Sequence, residues 1–121
     1  MKKVALVFIM LLVVSALFAE PMHLGTFPAG RWLDPNYDAV WDFSLNNVRI
    51  LTPAGKVLHD FSTKTIQNFR FFLDGDQPAI SFTCPETGRY YRFVAHVSSA
   101  IIVMEIEREA LPKYSVKMEK Q

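Results

Sequence analysis

Apolar and polar residues alternate through most of residues 69–108, which is the period of β-strands that bury one face. Turn-forming segments at residues 74–77, 85–88 and 98–99 divide this stretch into four short strands. Counting outward from the three turns puts large apolar residues of successive strands opposite one another. One row contains Phe71, Ile80, Phe93 and Met104, and the other contains Phe69, Phe82, Tyr91 and Ile106. Because a one-residue slip would turn a strand's apolar set outward, this agreement predicts a four-stranded antiparallel meander.

Shorter strand-like segments lie on both sides of the meander. They comprise residues 30–33, 39–45, 48–52, 56–61 and 114–118. The seven prolines lie before the first of these strands, between strands or, for Pro78, directly after the turn at residues 74–77, as expected for a residue that removes a backbone donor. About eight short strands with short connections predict an all-β fold, a small antiparallel up-and-down barrel.

The N-terminus has the layout of a secretory signal peptide. Lys2 and Lys3 precede an apolar run over residues 4–18, which is shorter than the ~20 residues that span a bilayer. We therefore expect cleavage after Ala19, with Ala16 as a second possible site and a retained membrane anchor as the alternative. Cleavage after Ala19 leaves one domain, residues 20–121, secreted or periplasmic and not attached to a membrane.

Charge and cysteine content narrow the classes of function. Removal of residues 1–19 takes away two lysines and leaves 11 basic against 12 acidic residues, a net charge of −1. Without a basic stripe to neutralise phosphates, nucleic acid is excluded as an expected partner. Cys84 is the only cysteine, so no internal disulfide forms, and it shares the inward parity of Phe82. A buried thiol is the expectation, and a cysteine-dependent enzyme is a remote alternative.

The remaining ligand-type residues predict no metal or cofactor site. His23, His59 and His96 are scattered singly, without the paired spacing of metal ligands. Residues 74–76 (Asp-Gly-Asp) begin like a calcium loop, but the later ligands are missing, so we interpret them as a turn. We expect no enzymatic activity.

Gly30-x-Trp32, followed by Trp-Asp-Phe-Ser at residues 41–44 and the meander, resembles short secreted lipocalin-like (calycin-type) bacterial β-barrel proteins. The resemblance implies a closed barrel with an end that holds an apolar ligand. It also implies structural roles for Gly30 and Trp32, with a basic residue near the last barrel strand packed across the tryptophan. Arg108 is the residue in this chain that we assign to that position.

Apolar residues also occur on the face of the meander that should be polar. We call Tyr90, Arg92, Val94, Ile101 and Val103 the outer patch. The register sets Val94 opposite Val103, and contiguous apolar surface usually marks a contact site. Coverage of the patch by the N-terminal lead-in or the C-terminal segment is the alternative.

The expected function is a non-catalytic binding module that uses the outer patch for a protein partner or for self-association. The inner rows contain so many aromatic rings that we expect a mostly filled interior. A lipocalin-like carrier of a small apolar ligand is the alternative function.

Overall fold

The computed structural model describes residues 21–121, in which nine strands form one antiparallel sheet. The strands are β1 (Gly30–Asp34), β2 (Ala39–Ser44), β3 (Asn47–Leu51), β4 (Val57–Asp60), β5 (Gln67–Asp74), β6 (Gln77–Cys84), β7 (Arg89–His96), β8 (Ile101–Arg108) and β9 (Tyr114–Lys120). The predicted signal peptide lies outside the described residues. Within residues 21–121 no helix is long and apolar enough to cross a membrane.

The sheet curls into a half-barrel. Its strand order is β4-β3-β2-β1-β9-β8-β7-β6-β5, so β1 pairs with β9 and the two free edges are consecutive in sequence. Rings from distant strands meet inside the curl, with the Phe93 centroid 5.3 Å from Trp41 and 5.2 Å from Phe43. The prediction of an all-β antiparallel up-and-down fold is confirmed.

The sheet does not form the closed barrel that the family resemblance implied, because no ladder joins its edge strands β4 and β5. β4 has only four residues, and a 3-10 turn at Phe61–Thr63 follows it in place of a continuing strand. Phe61 and Ile66, which belong to the connection between β4 and β5, are both buried and join the core cluster. The core is therefore continuous even though the hydrogen-bonded ladder is not.

The predicted register of the meander is confirmed across its three turns. Ladder pairs include Phe71 with Ile80, Ile80 with Phe93, Phe82 with Tyr91, Phe93 with Met104, and Arg92 with Glu105. Phe71 is nevertheless 38% exposed, because β5 is an edge strand and nothing pairs with its far side.

Two local details of the meander differ from the prediction. The ladder between β7 and β8 ends at His96–Ile101, and the connection contains a 3-10 turn followed by Ala100 in the left-handed region (φ 54°). The two-residue Ser98–Ser99 loop is therefore wrong, although four connecting residues preserve the same register. In β5, a bulge at Asn68 (φ 57°) removes Phe69 from the ladder, yet its ring still stacks on Phe82 at 6.4 Å.

The assignment of Arg108 to a position across Trp32 is wrong. β9 lies between β8 and β1, and Lys120 is the direct partner of Trp32, with its Nζ 5.6 Å from the ring centroid. Glu119 of β9 pairs with both Leu33 of β1 and Ile101 of β8. Arg108 is seven residues beyond Ile101, an offset from Leu33 of roughly 23 Å along the strand at ~3.3 Å per residue. Gly30 lets the Trp32 ring approach the backbone closely, because a Cβ at residue 30 would lie 3.3 Å from that ring.

One end of the half-barrel, which we call the closed end, is covered by the lead-in, residues 21–29. Met22, Leu24 and Phe27 are buried, and the Leu24 amide donates to the Leu45 carbonyl at 2.9 Å. The Phe27 ring lies 5.1 Å from that of Phe43. The opposite, open end contains the connection from β1 to β2, the start of β7 and the end of β8.

Candidate ligand-binding cup and outer patch

A depression of about 240 Å³ lies at the open end of the half-barrel, and we call it the cup. Its floor is apolar and comes from inward-facing positions of β2, β3 and β8. These residues are Ala39, Trp41, Ile50, Met104 and Ile106. The floor rests on the aromatic core, since the Trp41 ring packs against Phe61 (6.0 Å) and Phe93 (5.3 Å). Apolar surface at the bottom of a concavity binds apolar groups by removing both surfaces from water.

An acid and two tyrosines form one side of the cup's rim. Asp34 is only 2% exposed, and its two carboxylate oxygens accept from the Tyr114 hydroxyl at 2.9 and 2.8 Å. Its Oδ1 also accepts from the Asn36 backbone N–H at 2.9 Å, and the Asn36 side-chain amide donates to the Tyr114 hydroxyl at 3.0 Å. Burial first, and then the bond to Asp34, raises the pKa of Tyr114 to about 12, so this hydroxyl stays protonated at neutral pH. These hydrogen bonds satisfy the Asp34 carboxylate within the protein. The Tyr37 ring packs edge-on against the Tyr114 ring, with the centroids 5.3 Å apart.

Two arginines form the other side of the rim. Arg89 and Arg108 are directly opposite each other in the β7–β8 ladder and have the inward parity of Tyr91 and Ile106. The Arg108 Nη2 donates to the Pro112 carbonyl at 2.7 Å, while its Nε is buried without a hydrogen-bond partner. Of the ion pairs within residues 21–121, none includes Arg89 or Arg108. The rim therefore presents two adjacent cations without a carboxylate of their own.

The outer patch lies on the opposite face of the sheet, where the register puts Val94 beside Val103 as predicted. Val94 is only 5% exposed, and Tyr90, Arg92, Ile101 and Val103 are half-buried. Two carboxylates hold Arg92, with Nη2 2.7 Å from Asp74 and Nη1 3.1 Å from Glu105. These bonds, led by that to Asp74, raise the pKa of Arg92.

The centre of the outer patch is a shallow depression of about 250 Å³ in which Val94 and Val103 are surrounded by polar groups. These groups are Asp74, Gln77, Arg92, His96 and Glu105. The patch is thus a small apolar floor inside a charged ring whose charges already pair with one another.

The single cysteine and the histidines lie in separate parts of the described chain. Cys84 is fully buried, as its parity predicted, and its ladder partner is Arg89. His96 belongs to the far end of β7, opposite Ile101. Between residues 21 and 121 no cluster of three histidine, cysteine or acidic residues could hold a metal ion. Burial lowers the pKa of His59, whose ring lies 4.4 Å from Phe61.

The cup was not predicted from the sequence, although the predicted register of the meander already indicated the inward parity of its two arginines. Arg89 shares the parity of Tyr91, and Arg108 that of Ile106, so both could have been placed inside. The floor residues of β2 and β3 belong to a different part of the chain, and no local pattern brings them to these arginines.

Comparison with known proteins leaves the functional assignment to the geometry. A scan against protein-family models and searches of curated proteins and of solved structures found nothing that matches this chain. The class that the fold defines is an all-β antiparallel half-barrel.

Proposed function

We propose that this is a non-catalytic, extracytoplasmic binding protein, lipocalin-like in its mode of action, that takes a small molecule with an apolar body into the cup. One observation carries the proposal: the cup is concave, with apolar side chains on its floor and polar groups confined to its rim. Small-molecule sites have this composition, because apolar walls supply affinity and a few polar groups supply orientation. The predicted signal peptide supports a location outside the cytoplasm.

The interior supports binding at the mouth of the half-barrel. Below the cup, the rings of Phe61, Phe82, Tyr91 and Phe93 pack at centroid distances of 5.2–6.2 Å and leave the middle filled. A ligand would therefore lie on the Trp41 side of this packed layer. A small, compact or short-chain molecule fits this site better than a long chain that threads the barrel.

The outer patch is a second candidate, as a surface for a protein partner or for self-association. The observation in its favour is the depression above Val94 and Val103. A partner there must desolvate Arg92 and the carboxylates that it binds, and buried ion pairs give back little of that cost. In the cup the charged groups lie at the rim, so an apolar body on the floor leaves them at the mouth, and we rank the cup first. Val103→Glu should abolish association through the outer patch, as measured by size-exclusion chromatography, while the sheet stays folded.

The cup is tested by filling it. Ala39→Trp adds a large ring on the floor, and we expect it to weaken binding of the neutral fluorescent probe N-phenyl-1-naphthylamine at least tenfold. Leu45→Trp is the matched control, because Leu45 is 57% exposed and lies beside the closed end. Equal probe binding by both folded variants and the unmodified protein would refute the cup as the site.

A further inference from the structure

We infer that the ligand of the cup carries a single negative charge, such as a carboxylate, and that Arg89 and Arg108 bind it. This inference rests on the proposed function and adds the chemical class of the ligand, a small amphipathic monoanion. Its basis is that these two arginines are direct cross-strand neighbours in the lining of the cup and that neither has an acidic partner among residues 21–121.

Three other cations have a close acidic partner within the protein, whereas Arg70 and Lys120 pack against aromatic rings and Lys117 is exposed without an ion pair among residues 21–121. Arg49 contacts Asp42 at 2.6 Å, Arg92 contacts Asp74 at 2.7 Å, and Lys113 contacts Glu105 at 2.6 Å. Arg89 and Arg108 have none among residues 21–121, and they are direct cross-strand neighbours. Like charges in that position repel, so an anion between them would relieve the repulsion and form two ion pairs at once.

Hydrogen bonding favours the same occupant. The Nε of Arg108 is a buried donor without a partner, and leaving such a donor unsatisfied costs free energy. A guanidinium presents its donors in a planar fork that fits the two oxygens of a carboxylate. The Asp34 carboxylate does not serve either arginine, because its oxygens accept from the Tyr114 hydroxyl and the Asn36 backbone N–H and none of the ion pairs among residues 21–121 includes it.

The net charge of the rim indicates that the ligand carries one negative charge. Two arginines and one aspartate give the cup a formal charge of +1, which a monoanion neutralises. The anion would lie at the rim, between β7 and β8, while the apolar body covers Trp41, Met104 and Ile106 on the floor.

The test uses a matched pair of ligands, octanoate and 1-octanol, which differ in the charge of the head group. Each competes with N-phenyl-1-naphthylamine for the unmodified protein. Since 1-octanol is the more hydrophobic, a cup without cationic recognition would prefer the alcohol. We expect octanoate to bind roughly 10-fold to 100-fold more tightly, as charge-assisted hydrogen bonds predict.

Arg89→Met and Arg108→Met remove each charge while retaining an unbranched side chain. Each should lose most of the preference for octanoate and keep its affinity for 1-octanol within about twofold. Arg31→Met is the matched control, because Arg31 lies on the outer face of β1 and its side chain is 51% exposed. Circular dichroism confirms that each variant is folded, and the two single variants test the same claim independently.

The outcomes separate the two proposals. If the probe binds and 1-octanol displaces it at least as well as octanoate does, the monoanion inference is overturned and the cup stands. Retention of the preference by both folded arginine variants also overturns it. If neither the probe nor either ligand binds, the proposed function fails and the inference fails with it.

Discussion

The two ends of the half-barrel are built from the same strands and differ in what covers them. At the closed end, the lead-in places Leu24 and Phe27 over the core, and Phe27 packs on Phe43. At the open end, Trp41 and Met104 are also nearly buried, at 4% and 1% exposed, but the groups above them include the charged side chains of the rim and leave the cup between them.

Under the proposed function, this difference predicts that stability and ligand binding depend on different ends of the half-barrel. Apolar side chains at the closed end complete the core, and their burial contributes to the free energy of folding. Arg89 and Arg108 at the open end are like charges at directly opposite ladder positions, an arrangement that usually destabilises a sheet. We therefore expect substitutions at the closed end to change stability, and those at the open end to change binding.

The largest effect should come from the layer between the two ends. Phe93 is fully buried and packs against Trp41, Phe43 and Phe82. Phe93→Ala should lower the free energy of unfolding by about 3–5 kcal/mol, the usual cost of deleting a buried ring. Chemical denaturation monitored by tryptophan fluorescence measures this, and a loss below about 1 kcal/mol would mean that the inner and outer faces are reversed.

The closed end should come next. Leu24 is 1% exposed, so Leu24→Ala should cost about 2–4 kcal/mol through lost burial and a residual cavity. Leu45→Ala is the control, since its side chain is 57% exposed and should change stability by less than about 0.5 kcal/mol. Equal denaturation midpoints for the two variants would show that the lead-in does not seal this end.

The register of the meander could be predicted from the sequence because it depends on local information. Three short turns and the alternation of Ile80, Phe82, Tyr91 and Phe93 constrain each other, and a slip at any turn would expose a buried row. The bulge at Asn68 was not predicted, because the alternation from Phe69 onward is unchanged by it. The one extra residue lies between Gln67 and Arg70, where the ladder shifts.

The arrangement around the meander depends on contacts between distant parts of the chain. Nothing local indicates that β9 inserts between β8 and β1, and this insertion is why Lys120 occupies the place assigned to Arg108. The cup has the same origin, because Trp41 and Arg89 are 48 positions apart in sequence and meet only through the curl of the sheet. The strands could therefore be predicted from local residue patterns, whereas the cup depends on contacts between distant strands.

A smaller effect is expected at the outer patch. Arg92→Ala removes ion pairs to Asp74 and Glu105, but the Arg92 side chain is 29% exposed and solvent screens these charges. The loss should be about 1 kcal/mol or less and should shrink further in high salt, as measured by denaturation at two ionic strengths. A salt-independent loss above about 2 kcal/mol would instead assign Arg92 a role in packing.

The smallest effect on stability should be at the open end, where the effect on binding is expected to be largest. Arg89→Met removes one of two facing like charges, so the ligand-free protein should be unchanged or stabilised by up to about 0.5 kcal/mol in low salt. Arg49→Met should act in the opposite direction, because it breaks the 2.6 Å contact with Asp42. Denaturation of both variants without ligand measures the contrast. A loss above about 1 kcal/mol for Arg89→Met would show that Arg89 stabilises the fold, and the separation between the stabilising closed end and the binding open end would then be wrong.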